Sequence, residues 1–142
     1  MITEFWVHTD NFDPADYFGF VYIIKNKNNN KIYVGKKVFW NNVKTKLTKK
    51  ELVEQTGPGR KPTTKTIQKE SNWKFYWGSS KDLTEDLKTQ GTSNFEKKIL
   101  KLCKTKKEMT FFEMYYQCRY DVLTTSSYND NILGKFYRKD FI

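Results

Sequence analysis

The chain has 142 residues, 17% aromatic and 30% charged, with a formal net charge of +10 from 26 Lys and Arg against 16 Asp and Glu. That length suits one domain with a true core, and the basic balance makes a polyanion, nucleic acid first, the expected partner. One histidine, His8, and two cysteines, Cys103 and Cys118, exclude zinc fingers, zinc ribbons and histidine-dependent triads. The cysteines read as small apolar side chains in a reducing compartment rather than a disulfide. No apolar run approaches the roughly 18 residues of a membrane helix. Met1 to Asp10 lacks the basic-then-apolar order of a secretory signal, so a cytoplasmic protein with no membrane association is expected.

Residues 1–18, with Asp10, Asp13 and Asp16 around Pro14, read as an N-terminal arm ahead of a single domain from 19 to 142. Gly19 to Lys25 and Lys31 to Lys37 are rich in aromatic and β-branched residues and flank Asn26-Lys27-Asn28-Asn29-Asn30, which suits a tight turn. That pattern predicts a β-hairpin. Residues 41–70 hold seven Lys and one Arg against three Glu, and include Gly57-Pro58-Gly59-Arg60-Lys61-Pro62. They read as a basic loop with a short helix around Thr48 to Gln55, either a solvated linker or a DNA-contacting flap.

Leu83 and Leu87 predict a helix that Gly91 closes, and Phe95 to Leu102 predicts a strand. Met109, Phe112, Tyr116 and Tyr120, spaced three, four and four apart, predict a second helix from Lys106 to Tyr120. A basic-aromatic tail, Gly134 to Lys139, follows Tyr128-Asn129. The elements imply an α+β fold: a small, mostly antiparallel three-stranded sheet flanked by helices.

Four ordered blocks then carry a resemblance. Val21-Tyr22 and Tyr33-Val34-Gly35 sit on the paired strands, and Tyr76-Trp77-Gly78-Ser79-Ser80 precedes the first helix. Glu113-Met114-Tyr115-Tyr116 lies on the second helix, and Tyr128-Asn129 comes near the end. Together they resemble the GIY-YIG endonuclease family, and from Gly19 to Arg138 the chain looks like its small phage-type members. Phe20 stands at the glycine position of the first half-motif, with Gly19 one residue earlier.

The resemblance implies a metal-dependent endonuclease that hydrolyses phosphodiester bonds in DNA. Such chemistry needs an activated water, a metal that neutralises phosphate charge, and cations for the developing oxyanion. Glu113 is the implied metal ligand, suited to Mg²⁺ with Mn²⁺ as a substitute. Tyr33 is the implied general base, its pKa expected to be lowered by Lys36 and Lys37, and Tyr22 adds a hydroxyl. Tyr33, Gly35 and Lys37 should share a strand face. No arginine follows the second tyrosine block before Arg60, so Lys37, Lys44 or Arg60 is expected to replace the one the family usually has. Tyr76 stands in for a family histidine, and Asn129 is either a hydrogen bonder near the site or a turn residue.

The expected partner is DNA, met through a basic surface by a monomer or homodimer. Lys36, Lys44, Arg60, Lys61, Lys65, Trp73, Lys135 and Arg138 are the expected nucleic-acid contacts. A phage-encoded protein of this kind would act in the host cytoplasm. The alternative is a module of the same fold that binds nucleic acid with an impaired site.

Overall fold

The computed structural model describes residues 6–8 and 11–141. The expected hairpin forms from β1 (Gly19–Asn26) and β2 (Ile32–Val38), which pair antiparallel from Gly19 opposite Val38 to Lys25 opposite Ile32. Asn30 closes the turn with φ 61°, a left-handed conformation that Asn tolerates. Asn26 is fully buried, and its amide donates to Gln90 at 3.0 Å and Tyr128 at 3.1 Å.

After β2 the chain enters a second antiparallel pair, β3 (Trp40–Lys46) and β4 (Thr64–Glu70), joined through the short helix α1 (Lys49–Val53). Thr48 and Glu51 cap α1 reciprocally. The basic loop expected at about 41–70 is thus a β-ribbon with a helical tip. Its strands escaped the sequence reading because they alternate polar with polar, leaving Val43 and Ile67 as the one apolar cross-strand pair.

Helix α2 (Lys81–Gln90) starts at Ser80, whose hydroxyl accepts from the Leu83 amide, and stops at Gly91 with φ 82°. Strand β5 (Phe95–Cys103) pairs antiparallel with the other side of β1, giving the order β2-β1-β5. Its register slips between Val21 and Tyr22. Helix α3 (Lys106–Arg119) begins at Thr105, which accepts from the Glu108 amide at 3.1 Å. A short pair, β6 (Asn131–Ile132) and β7 (Phe136–Tyr137), closes the chain. This is the expected three-stranded antiparallel α+β architecture.

Alternation along β1 splits the core in two. Phe20, Tyr22 and Ile24 face a cluster with Phe39, Trp73 and Leu83, whereas Val21 faces Met109, Cys103 and Val122 beneath α3. The described part of the arm covers the first cluster: Trp6 packs on Phe20 and Tyr22 at ring distances of 5.0 and 4.9 Å. Val7 pairs in parallel with Lys98 along the outer edge of β5, while Met1–Phe5 and Thr9–Asp10 of the expected arm lie outside the described residues. On the other edge, Ser127 bridges to Ile32 of β2 in parallel. Each edge of the sheet thus carries one backbone bridge to a neighbouring segment.

Candidate active site

The register sets Tyr22 opposite Gly35. An ideal Cβ on Gly35 would stand 2.5 Å from the Tyr22 hydroxyl and 3.0 Å from the Tyr33 ring. A second glycine, Gly78, approaches the same rings: its ideal Cβ would be 3.0 Å from Tyr33 and 3.3 Å from the Tyr22 hydroxyl. Two bare backbone positions, one on β2 and one in the turn before α2, thus let the tyrosine rings close up. Tyr22 lies 6.1 Å from Tyr33 and 6.1 Å from Tyr76, ring to ring.

Burial pushes the Tyr22 phenol well above its ordinary value, and Tyr33, Tyr76 and Glu113 push it further. Tyr33 is also raised, first by burial, while a 3.3 Å contact with the Ser79 hydroxyl works the other way. This corrects the expectation that Lys36 and Lys37 lower the Tyr33 pKa. The largest influences on Tyr33 are burial, Ser79, Tyr76 and Glu113, and neither lysine is among them.

Alternation explains why. Lys36 points to the α3 face, where its ammonium stands 3.7 Å from the Glu113 carboxylate and donates to the Thr110 hydroxyl at 3.2 Å. Lys37 shares the face of Tyr33 but sits over the Tyr76 ring, 4.2 Å from its centroid. Partial burial lowers the Lys37 pKa.

Glu113 is half-buried, its side chain 18% exposed. Burial raises its pKa, and Lys36 only partly opposes that rise. Among the described residues, no three His, Cys, Asp or Glu side chains gather as a metal cage. A half-buried carboxylate whose one ion-pair partner, Lys36, stands 3.7 Å away suits a hard cation that keeps most of its waters.

Tyr76 is fixed from behind by Lys97, a buried residue absent from the sequence reading. Its ammonium donates to the carbonyls of Tyr76 at 3.0 Å and Lys74 at 3.2 Å, and packs over the Trp77 ring. Nothing local in the sequence separates Lys97 from its exposed neighbour Lys98 except strand alternation. Ser79 was legible as part of the Gly78-Ser79-Ser80 block, though not as the partner of Tyr33.

Other candidates fall elsewhere. Asn129 is buried and its amide is engaged by the backbone of β2: Oδ1 accepts from the Val34 amide at 2.9 Å and Nδ2 donates to the Val34 carbonyl at 2.8 Å. It holds the strand between Tyr33 and Gly35 as a hydrogen bonder beside the cluster. Gln117, also missed, donates to the same carbonyl at 3.1 Å. Trp73, expected on a nucleic-acid surface, is a core residue, 8% exposed and edge-on to Phe39. Arg138, expected to contact DNA, instead donates to the carbonyls of Val122, Thr125 and Asn129. Lys135 is exposed in the tail.

Lys44, Arg60, Lys61 and Lys65 are exposed on the ribbon, and Lys65 pairs with Glu51 at 2.7 Å. Seven residues per strand, at about 3.4 Å each, put the ribbon tip roughly 20 Å beyond its base. Arg60 lies at that tip. Of the two lysines considered as replacements for the family arginine, Lys37 is the one beside the tyrosines.

No helix among the described residues is long and apolar enough to cross a membrane. No curated protein and no solved structure matches the chain. A family model described as "Putative endonuclease segE, GIY-YIG domain" matches residues 5–140. That span takes in the arm, the ribbon, the tyrosine cluster and Glu113, and the chain belongs to the GIY-YIG endonuclease family.

Proposed function

We propose that this protein is a metal-dependent DNA endonuclease, of phage or mobile-element type, acting at the tyrosine cluster around Gly35. The observation that carries the reading is the convergence of Tyr22, Tyr33 and Tyr76 with the electrostatic reach of Glu113. Glu113 would hold Mg²⁺, or Mn²⁺ in its place, and the bound ion would offset the negative charge of the phosphate. Tyr33 takes the proton from the attacking water, with Ser79 favouring its phenolate. Tyr76 offers a hydroxyl donor to the non-bridging oxygens, buried Tyr22 supports it from inside the cluster, and Lys37 supplies the cation for the developing charge. Lys36 sets the position of the Glu113 carboxylate from the α3 face.

A second reading has two observations behind it. The three arginines lie at the ribbon tip, at the end of α3 and in the tail, and the Tyr33 pKa is raised rather than lowered. Both would suit a module that binds nucleic acid without cutting it.

A supercoiled plasmid with Mg²⁺ separates the two. Cutting by the wild type, stopped by Glu113→Ala and by EDTA, is the expected result. An intact but bound plasmid, with Mg²⁺ and with Mn²⁺, would overturn catalysis in favour of binding.

A further inference from the structure

The ribbon has two unlike faces. Residues directly opposite in an antiparallel pair share a face. On one, Val43, Ile67 and Thr45 are half-buried, and Lys65 is tied back to Glu51 of α1. On the other, Asn42 opposes Gln68, Lys44 opposes Thr66, and Lys46 opposes Thr64. All six of these are exposed. Among the described hydrogen bonds and ion pairs, the side chains of Asn42, Gln68, Lys44 and Lys46 make none.

We propose that this outer face is a base-reading surface that enters the major groove of duplex DNA and sets where the enzyme cuts. The inference rests on the nuclease reading for its substrate. Four observations support it. First, the major groove admits a two-stranded β-ribbon, and its edges are read by the residue types found here: Asn and Gln pair with adenine, Lys with guanine, and the Thr methyl packs on the thymine methyl. Second, the charge is complementary, with eight basic residues against three acidic ones over 41–70. Third, beyond Trp40, which packs on the core at the ribbon's base, the face is wholly polar, whereas a protein-binding strand face would present apolar anchors.

Fourth, the ribbon is rigidly joined to the site. It leaves β2 through buried Phe39, one residue past Val38. Ser71 closes its base, donating from its amide to the Phe39 carbonyl at 2.8 Å and from its hydroxyl to the Val38 carbonyl at 2.6 Å. Trp40 donates to the Pro14 carbonyl at 3.2 Å, and Trp73 to Glu70 at 2.9 Å. Bases read by the ribbon are therefore held at a fixed offset from the phosphate at Tyr33. A reach of roughly 20 Å corresponds to about six base-pair steps.

The test uses Glu113→Gln protein, so that binding is read apart from cutting. Duplexes of random sequence are selected on this protein and on the same protein carrying Asn42→Ala and Gln68→Ala. The first should enrich a short motif containing adenine, and guanine N7 methylation within it should block binding. The second should lose the motif, with the ratio of specific to non-specific affinity falling about tenfold or more. Circular dichroism and the melting temperature, unchanged by two exposed substitutions, check the fold.

Identical motifs from the two proteins, enrichment blocked by a minor-groove ligand but not by N7 methylation, or no duplex binding would each overturn the proposal. If the selected motif depends on Asn42 and Gln68 while the wild type fails to cut, groove reading stands and catalysis falls.

Discussion

The Tyr33 hydroxyl lies 3.3 Å from the Ser79 hydroxyl, joining the middle of β2 to the turn that starts α2. That contact lowers a phenol pKa that burial has raised. A general base must be deprotonated, so a raised pKa puts most of its activity at high pH. The nicking rate should climb about tenfold per pH unit through the alkaline range, with no plateau near neutrality. Ser79→Ala should move the climbing limb to higher pH. Tyr33→Phe should abolish it and slow nicking by about 10²–10⁴-fold. Initial rates between pH 7 and 10 check this. A plateau shared by wild type and Ser79→Ala would put the base elsewhere.

Glu113 has a pKa raised above its ordinary value, chiefly by burial. The folded chain therefore holds this proton more tightly than the unfolded chain does. The stability it contributes is greatest below the ordinary carboxylate range and declines as pH rises through the raised value. Glu113→Gln removes that decline, so its melting temperature should exceed the wild-type value at pH 7 and approach it near pH 4. Added Mg²⁺ should raise the wild-type melting temperature at pH 7 and leave the variant unmoved, because only an ion bound by the folded state stabilises it. Thermal melts at the two pH values, with and without Mg²⁺, read both effects. A variant less stable than wild type at pH 7 would show that the Lys36 pair outweighs burial.

Much of this was legible where a local rule applied. The Asn-rich turn, the Ser80 and Gly91 ends of α2 and the helix period of α3 each use a short-range signal, and the alternation that unites Tyr33, Gly35 and Lys37 is equally local. The same alternation, followed one residue further, places Lys36 against Glu113 rather than Tyr33. What stayed hidden depends on chain closure. An exposed tryptophan and a buried one have the same letter, so Trp73 became core only once Phe39 met it. The engagement of Arg138 was hidden because Val122, Thr125 and Asn129 bring carbonyls to it from 9 to 16 residues back. The ribbon hid because its pattern lacks apolar contrast.

Gly35 faces Tyr22 at a distance that leaves no room for a methyl group. Gly35→Ala should destabilise the fold by about 1–3 kcal/mol through overpacking and displace the Tyr22 hydroxyl. The nearest atom to the ideal Cβ is that hydroxyl, so adding Tyr22→Phe should return part of the lost stability. Tyr22→Phe alone in Gly35 protein should not stabilise. Urea unfolding of the four proteins gives the coupling energy between the two positions. Strictly additive effects would mean that the backbone, not the Tyr22 ring, absorbs the added methyl.

Arg138 decides between a surface role and a clamp. Its guanidinium donates to three carbonyls, with Thr125 at 2.7 Å and Asn129 at 2.9 Å, and to the Ser127 hydroxyl. Asn129 in turn grips Val34 on both its amide and its carbonyl. The chain of contacts therefore runs from the tail to β2, beside Tyr33. Arg138→Ala should destabilise the protein by about 2–4 kcal/mol, since it strands several carbonyls at once. Arg138→Lys should rescue little, because a single ammonium cannot reproduce the planar fork. The slope of DNA affinity against salt should stay unchanged, as no phosphate contact is lost, whereas a surface arginine on DNA would reduce that slope by about one. Unfolding curves and salt titrations of the same variants distinguish the two roles: preserved stability with a shallower slope would return Arg138 to the DNA surface.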